Sequence, residues 1–210
     1  MGSEMCIRDR SISPETIFRG NDAWESALCQ ITKLTKSPLL LGRSINTHQL
    51  RNKIFRDLKN NNLNVISVNL HFDCCYEDIS RVKKIILENN HDSVIAAGGG
   101  KVLDSGKYIA ECSNIPCITV PLSASTCAGW TALSNIYTKN GQFIKDFALR
   151  SCPKILVYDH KFIKTAPLRT LASGIADALA KWYESSVTSS TIDDGLVQQA
   201  IQISRVLRDQ

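Results

Sequence analysis

The sequence predicts an α/β protein, in which a parallel Rossmann-like sheet domain is followed by the beginning of an all-helical domain. Three observations lead to this prediction. Short apolar runs alternate with amphipathic helical stretches from residue 38 onward, one run ends in three glycines at the start of a helix, and the pattern after residue 160 is helical. Because parallel strands need crossover connections, we expect helices on both faces of the sheet.

The predicted elements of the sheet domain follow one another from residue 38 to residue 160. The helices carry apolar residues at three- or four-residue spacing, as Leu50, Ile54 and Leu58 do. The predicted strands are 39–42, 65–70, 93–97, 116–121 and 155–159, and the predicted helices are 50–58, 77–89 and 102–112. Residues 1–37 form an N-terminal segment without assigned elements, and the first ten, which lack periodicity, are a candidate non-native addition.

A hairpin and two helices complete the predicted elements. Two stretches of mixed apolar and polar residues, at 132–138 and 143–149, flank Asn140-Gly141, a dipeptide that favours a tight hairpin turn. Helical patterns then run over 167–186 and 194–208. A second, helical domain is therefore predicted to begin near residue 161.

Composition and charge exclude several classes of function. The chain has 25 basic and 20 acidic residues, and the basic residues do not alternate with aromatics, so no nucleic-acid partner is predicted. No apolar run approaches the roughly 20 residues that span a bilayer, and no secretion signal is present, so no membrane partner is predicted. The eight cysteines are expected to be reduced thiols in a cytoplasmic protein. A metal cluster of His71, Cys74 and Cys75 is a weaker alternative.

Three glycines between a predicted strand and a predicted helix form the first candidate binding site. Gly98, Gly99 and Gly100 let the backbone approach a bulky anion, and the N–H groups at the start of the helix would point toward it. Lys101 adds a positive charge, and Asp104 follows one helical turn later, where we expect it at the same edge of the site. The pattern predicts a phosphate site, whereas the simpler interpretation is an ordinary strand-to-helix turn.

Three motifs, in order along the chain, resemble one enzyme family. They are GGGKVLD at 98–104, PLSASTCAGWTALSNIY at 121–137 and SGIADALAKWYE at 173–184. The combination resembles the glycerol dehydrogenase branch of the iron-containing alcohol dehydrogenase superfamily, which implies a dehydroquinate synthase-like architecture. Family members are usually longer, which implies that residues 161–210 begin a truncated helical metal-binding domain. The resemblance also implies a homo-oligomer at full length.

The resemblance implies a cofactor, NAD or NADP, and a position for it. It assigns the pyrophosphate and the adjoining ribose to the glycine run together with Lys101 and Asp104. It assigns the nicotinamide end to hydroxyl and apolar side chains, namely Ser125, Thr131, Leu133 and Tyr137. Taken alone, this second stretch would be interpreted as a polar loop that leads into the hairpin.

The resemblance also implies a divalent metal ion, zinc or iron, with Asp177 as one ligand. Two histidines from further along the chain complete the site in the family. The histidines of this sequence do not lie at matching positions; they are His48, His71, His91 and His160. Taken alone, Asp177 would be interpreted as a solvated residue near the start of a helix.

The sequence departs from the family pattern at two positions. Cys127 stands where glycerol dehydrogenases carry an acidic substrate contact, and a thiol is a weak acceptor for the hydroxyls of a polyol. Arg43 stands at the end of the first predicted strand, where NAD-using relatives commonly carry an Asp. Arg43 either pairs with the 2′-phosphate of NADP or is an exposed surface residue, and both interpretations stay open.

The implied activity is hydride transfer between a small alcohol or polyol, resembling glycerol, and NAD(P), with the metal acting as a Lewis acid. The 210-residue chain alone is expected to bind cofactor weakly and to be inactive. Two alternatives remain from the sequence: an enzyme that resembles sn-glycerol-1-phosphate dehydrogenase, and a non-catalytic nucleotide-binding module. A dehydroquinate synthase-like lyase shares the fold but is disfavoured by the 121–137 stretch.

Overall fold

A six-stranded parallel sheet is the centre of the computed structural model, which describes residues 12–189 and 194–210. The eight strands of these residues are β1 Thr16–Gly20, β2 Pro38–Gly42, β3 Ile66–Asn69, β4 Ser93–Gly98, β5 Cys117–Pro121, β6 Leu133–Tyr137, β7 Phe143–Ala148 and β8 Ile155–Asp159. The sheet order is β1-β8-β5-β4-β2-β3, and all adjacent pairs are parallel. The predicted α/β class is confirmed.

Helices connect the strands and then continue the chain beyond the sheet. Those in the described residues are α1 Ala23–Leu34, α2 His48–Asn60, α3 Tyr76–Asn89, α4 Gly100–Ser113, α5 His160–Ile163, α6 Leu168–Thr188 and α7 Gly195–Asp209, with a 3₁₀ turn at Ile45–Thr47. Helices α6 and α7 lie against each other, and the Ser185 and Ser204 hydroxyls are 2.9 Å apart. None of the helices in the described ranges is long and apolar enough to span a bilayer.

Successive residues of the strands pack against helices on opposite faces of the sheet. Leu39 and Leu41 of β2 belong to a buried cluster that includes residues of α3 and α4. Leu40, between them, belongs to a second cluster with residues of α1 and α2. This alternation is the geometry of a strand. Burial on both faces explains why β2 is an uninterrupted apolar run.

Helix α4 lies unusually close to β4 at Gly106. A Cβ atom at this glycine would stand 2.4 Å from the Cβ atom of Ala96, which is far closer than real side-chain contacts. Only glycine therefore permits the helix and the strand to approach in this way. The close packing fixes α4, which begins at the glycine run, against the sheet.

The first strand and the first helix lie in the segment 1–37, where the sequence pattern predicts no element. Strand β1 pairs with β8 at one edge of the sheet, and α1 buries Trp24, Ala27 and Ile31. The spacing of these three residues is a helical signal that is visible in the sequence. The sheet therefore begins before residue 38. The ten residues set aside as a candidate addition lie outside the described part.

The predicted hairpin is present with a turn at the expected place. Strands β6 and β7 are antiparallel, and Gly141 in the connection has a φ of 80°. A positive φ of this kind favours glycine. The predicted strands after residue 38 and the predicted helices also match the observed elements to within a few residues at each end.

Candidate functional site

A cleft of about 610 Å³ opens at the carboxyl edge of the sheet. Ligands of parallel α/β sheets commonly bind at this edge. The lining comes from the ends of β2, β3 and β4 and from the start of α4, and consists of Arg43, Ser44, Thr47, Leu70, His71, Gly98, Gly99, Gly100, Lys101 and Val102. The cleft therefore joins the glycine run to Arg43. A second cleft, of about 530 Å³ near Arg150, contains none of the predicted site residues.

The three glycines contribute differently to the cleft. A Cβ atom at Gly98 would stand 2.8 Å from the Cβ atom of Val102, and one at Gly100 would stand 2.9 Å from a methyl group in the loop after β5. At Gly99 the nearest atom would be the Ser123 hydroxyl at 3.7 Å, an ordinary contact. Gly99 immediately precedes α4, whose first amides have no acceptor within the helix. Because Gly99 has no side chain, it leaves room for an anion beside the first N–H groups of α4.

An acidic residue outside the predicted set joins the two cations of the cleft. Asp73 follows β3, and its carboxylate oxygens form ion pairs with Arg43 and Lys101. The side chain of Asp73 is 11% exposed, compared with 39% for Arg43 and 49% for Lys101. The Lys101 ammonium also lies 5.3 Å from the ring centroid of Tyr137. One nearly buried carboxylate thus holds both cations in place.

A second buried carboxylate holds the loop that carries Asp73. Asp78, in the first turn of α3, accepts hydrogen bonds of 2.7 Å from the backbone N–H groups of His71 and Phe72, and Arg81 donates to it at 2.6 Å. Burial by itself would raise the pKa of Asp78. The three donors outweigh burial and hold this pKa below its ordinary value.

Replacing Asp78 by asparagine is expected to lower the free energy of unfolding by about 1–3 kcal/mol at pH 7, because the uncharged oxygen accepts more weakly from the two backbone N–H groups and an NH₂ group faces Arg81 in place of its acceptor. A carboxylate with a lowered pKa stabilises the fold above its unfolded-state pKa of about 4 and loses this effect as the pH falls through the folded-state pKa. The deficit of the variant should therefore shrink below about pH 4.

Urea unfolding at neutral and acidic pH measures this difference. The exposed Glu88 offers a matched control, since Glu88→Gln should change stability by less than about 0.5 kcal/mol at either pH. A deficit of the Asp78 variant that does not change with pH would contradict the assignment.

Asp104 lies in a buried ion pair and not at the edge of the cleft, where the sequence predicts it. Its carboxylate is 3.1 Å from the Lys107 ammonium, and both side chains are less than one tenth exposed. Strand β6 covers this side of α4, and the backbone N–H of Asn135 points to Asp104 at 3.4 Å. Burial raises the pKa of Asp104, although the charge of Lys107 opposes that effect.

The four predicted nicotinamide residues lie on the loop after β5 and on β6. The Ser125 hydroxyl is 3.2 Å from a neighbouring serine hydroxyl. The backbone oxygens of Thr131 and Leu133 accept hydrogen bonds from the buried ammonium of Lys107. Tyr137 reaches the cleft through its contact with Lys101. Lys107 therefore anchors this stretch to α4, the helix that begins at the glycine run.

Helix α6 brings Asp177 close to the same loop. A Cβ atom at Gly174, one turn before Asp177, would stand 1.8 Å from the backbone oxygen of Ala124, so α6 lies directly on the loop. The Asp177 carboxylate is one third exposed and lies 3.4 Å from the Lys181 ammonium. Within the ranges 12–189 and 194–210, no three side chains of His, Cys, Asp or Glu are grouped to hold a metal ion. The described chain offers Asp177 as a single candidate ligand.

The alternative cluster of His71, Cys74 and Cys75 is therefore not formed in the part of the chain that the structure describes. Cys74 is fully buried in the apolar cluster between the sheet and helices α3 and α4, so it is a core residue. Burial raises the pKa of its thiol to about 12.

The substrate candidate Cys127 lies beside Trp130 at a small cavity of about 120 Å³. Trp130 also lines this cavity. It is 42% exposed, so it is not a core residue. Pro121, at the end of β5, also lines the cavity. This surface is compact and mainly apolar.

Asp73 and Lys107 are the two residues that the sequence prediction missed. Asp73 stands three residues after the predicted strand 65–70, near the edge where ligands of parallel sheets bind, and this position was its available signal. Lys107 follows Asp104 at a spacing of three residues, which places two opposite charges side by side on a helix. Neither signal predicts that Asp73 pairs with Arg43 and Lys101, or that Lys107 donates to the backbone of the 131–133 stretch.

The family model described as iron-containing alcohol dehydrogenase matches residues 14–160. The chain belongs to this family. The glycerol dehydrogenase of Pseudomonas putida is 30% identical over 207 residues, which cover 96% of this chain and 57% of that enzyme. An uncharacterised oxidoreductase of Synechocystis is 42% identical over 137 residues, or 65% of this chain and 36% of that protein.

Solved structures of iron-containing alcohol dehydrogenases share this fold. A probable glycerol dehydrogenase from Sinorhizobium meliloti superposes with a TM-score of 0.81 at 26% identity, over 96% of this chain and 57% of that one. The glycerol dehydrogenase of Schizosaccharomyces pombe superposes with a TM-score of 0.75 at 32% identity. The match covers 87% of this chain and 47% of that one. The chain spans about half the length of these relatives. The resemblance predicted from the three motifs is confirmed.

Proposed function

We propose that this protein is an oxidoreductase that transfers a hydride between a small alcohol or polyol and NAD(P). The observation that carries the proposal is the cleft at the glycine run, in a chain whose relatives include glycerol dehydrogenases. A nicotinamide cofactor carries the hydride, and the protein must bind and orient it.

The cleft is suited to the pyrophosphate of a dinucleotide. The open side of Gly99 lets the phosphate approach the first amides of α4, and the dipole of that helix favours an anion there. Lys101 stands at the same turn and supplies a positive charge. In this arrangement Tyr137 and Leu133 provide apolar surface toward the nicotinamide, and Ser125 and Thr131 provide hydroxyls for its carboxamide.

The metal part of the proposal depends on Asp177. We propose this carboxylate as one ligand of the zinc or iron ion of the family, to be completed by histidines that lie further along in family members. The described residues do not form a metal site by themselves, so no chemical step is assigned to the ion. Helix α6, which carries Asp177, packs at Gly174 on the loop after β5, which carries Ser125.

The substrate in this proposal is a small alcohol held near Cys127 and Trp130. Their cavity is small and mainly apolar, and a thiol replaces the acidic contact expected of glycerol dehydrogenases. A simple alcohol or a diol suits this surface better than a triol, whose hydroxyls need stronger acceptors.

Fluorescence titration with NADH and NADPH tests the cofactor site. Gly99→Ala should preserve the fold, since its Cβ atom would make only an ordinary contact. It should nevertheless weaken binding by about tenfold or more, because the methyl group occupies the space of the phosphate. Gly195→Ala is the matched control, since nothing lies within 4 Å of a Cβ atom there. No binding of either nucleotide to the parent chain at millimolar concentration would overturn the proposal.

A non-catalytic nucleotide-binding module is the second candidate. It is permitted because the described residues supply Asp177 but no complete set of metal ligands, in a chain that spans about half the length of its relatives. An activity assay of the full-length protein distinguishes the two functions, because only the dehydrogenase turns over an alcohol. NADH formation with glycerol or a diol in the presence of Zn²⁺ or Fe²⁺ supports the dehydrogenase, whereas cofactor binding without turnover supports the module.

A further inference from the structure

We propose that Asp73 sets the cofactor preference of the cleft toward NADH, because it pairs with the two cations that a ribose 2′-phosphate would need and halves their net positive charge. The proposal rests on the proposed nicotinamide-binding function. It assigns a role to a residue that lies outside the glycine run and outside the nicotinamide set.

The ion pairs of Asp73 come from three different elements. Arg43 follows β2, Asp73 follows β3, and Lys101 lies in the first turn of α4. The two cations line the cleft, and Asp73 joins them from beside it. Arg43 and Lys101 are each more than one third exposed, and both are cleft residues. The trio has a net charge of +1, whereas the two cations alone would carry +2. Asp73 therefore halves the positive charge that this side of the cleft offers to a ligand.

Asp73 is also held in place, so it cannot easily move away from an incoming phosphate. Both of its carboxylate oxygens are paired, Oδ1 with Arg43 and Oδ2 with Lys101. The two residues before Asp73 are fixed by their backbone hydrogen bonds to Asp78. A 2′-phosphate placed at Arg43 would therefore meet a fixed carboxylate of like charge, and such a juxtaposition disfavours binding.

The same carboxylate suits the cofactor that lacks the 2′-phosphate. The ribose hydroxyls of NADH can donate hydrogen bonds to a carboxylate, and charged acceptors form the stronger hydrogen bonds. Arg43 then acts as the partner that orients Asp73. The two open interpretations of Arg43 are thereby replaced by a third, in which its charge is already used within the protein.

The test is a fluorescence titration of the chain with NADH and with NADPH. Asp73→Asn should raise the affinity for NADPH relative to NADH by about tenfold or more, because it releases Arg43 and Lys101 and removes the repulsion. Glu88→Gln, which removes one exposed negative charge on α3, is the control for net charge and should leave the ratio unchanged. Circular dichroism confirms that each variant is folded.

Arg43→Gln provides a second test, and its measurement in the parent chain does not depend on the folding of the Asp73 variant. In the parent chain it should change the NADPH to NADH ratio less than about twofold, since Arg43 is already paired. In the Asp73→Asn background it should remove most of the gain. An unchanged ratio in Asp73→Asn, or a tenfold loss of NADPH affinity from Arg43→Gln alone, would overturn the role of Asp73 while the dehydrogenase proposal stands. If the parent chain binds neither nucleotide, the proposed function itself fails.

Discussion

Replacing Lys107 by methionine is expected to lower the free energy of unfolding by about 3–5 kcal/mol, because the Asp104 carboxylate would stay buried without its cation. The Lys107 side chain is 1% exposed, and its ammonium also donates to the backbone oxygens of Thr131 and Leu133. Methionine keeps much of the apolar stem but satisfies none of these acceptors.

The loss should depend on pH in a defined direction. Burial already raises the pKa of Asp104, and removal of the Lys107 charge raises it further. An acid whose pKa is raised by folding costs least when it is protonated, below its unfolded-state pKa of about 4, and the cost grows as the pH rises toward the folded-state pKa. The deficit of Lys107→Met should therefore be smaller at pH 4 than at pH 7.

Urea unfolding of three variants separates the ion pair from general packing. Asp104→Asn combined with Lys107→Met should recover part of the loss, because no charge is then left buried. Lys84→Met, at a lysine that is 76% exposed, should change stability by less than about 0.5 kcal/mol. A loss below about 1 kcal/mol for Lys107→Met would contradict the importance of the pair.

Replacing Gly106 by alanine is expected to destabilise the protein by about 1–3 kcal/mol. In an ordinary helix, replacing glycine by alanine stabilises the protein by about 1 kcal/mol. Here we expect the same replacement to destabilise it. The reason is the 2.4 Å separation between the added methyl group and the Cβ atom of Ala96, neither of which can rotate away. Helix α4 would have to move from β4, and the glycine run at its start would move with it.

Thermal unfolding with two companions tests this packing. Gly106→Ala combined with Ala96→Gly should regain most of the stability, since the methyl group is then carried by the helix instead of the strand. Gly195→Ala, at the start of α7 with open space around it, should be neutral or slightly stabilising. A Gly106→Ala variant as stable as the parent would show that α4 does not depend on this contact.

The elements that sequence predicts well are those whose signals are local. The apolar run of β2, the Asn140-Gly141 turn and the spacing of Leu50, Ile54 and Leu58 each reflect the burial or backbone angles of a short stretch. Strand β1 was missed because its two apolar residues, Ile17 and Phe18, are adjacent and do not alternate with polar ones, and because its partner β8 lies at the far end of the sheet domain. Its assignment depends on pairing, which a local pattern does not contain.

In the candidate site, too, local features could be predicted from the sequence, whereas contacts between distant elements could not. The glycine run and Arg43 could be placed in one cleft because the carboxyl ends of parallel strands share an edge. The orientation of Asp104 could not be predicted, because it depends on β6, which covers that side of α4. The pairing of Asp73 with two cations, 30 and 28 residues away in the chain, is likewise a result of tertiary structure.

The position of β1 at the edge of the sheet has a consequence for the order of folding. The backbone N–H of Trp24, just after β1, donates at 3.0 Å to the carboxylate of Asp159, which is 135 residues later. Strand β1 and helix α1 precede β8 and the adjoining α5 in the chain, so they leave the ribosome before the elements against which they pack. Because such distant contacts form slowly, the N-terminal segment must wait without its partners. The indole of Trp24, buried and 6.5 Å from the ring of Phe162, is a natural fluorescent reporter of this final closure.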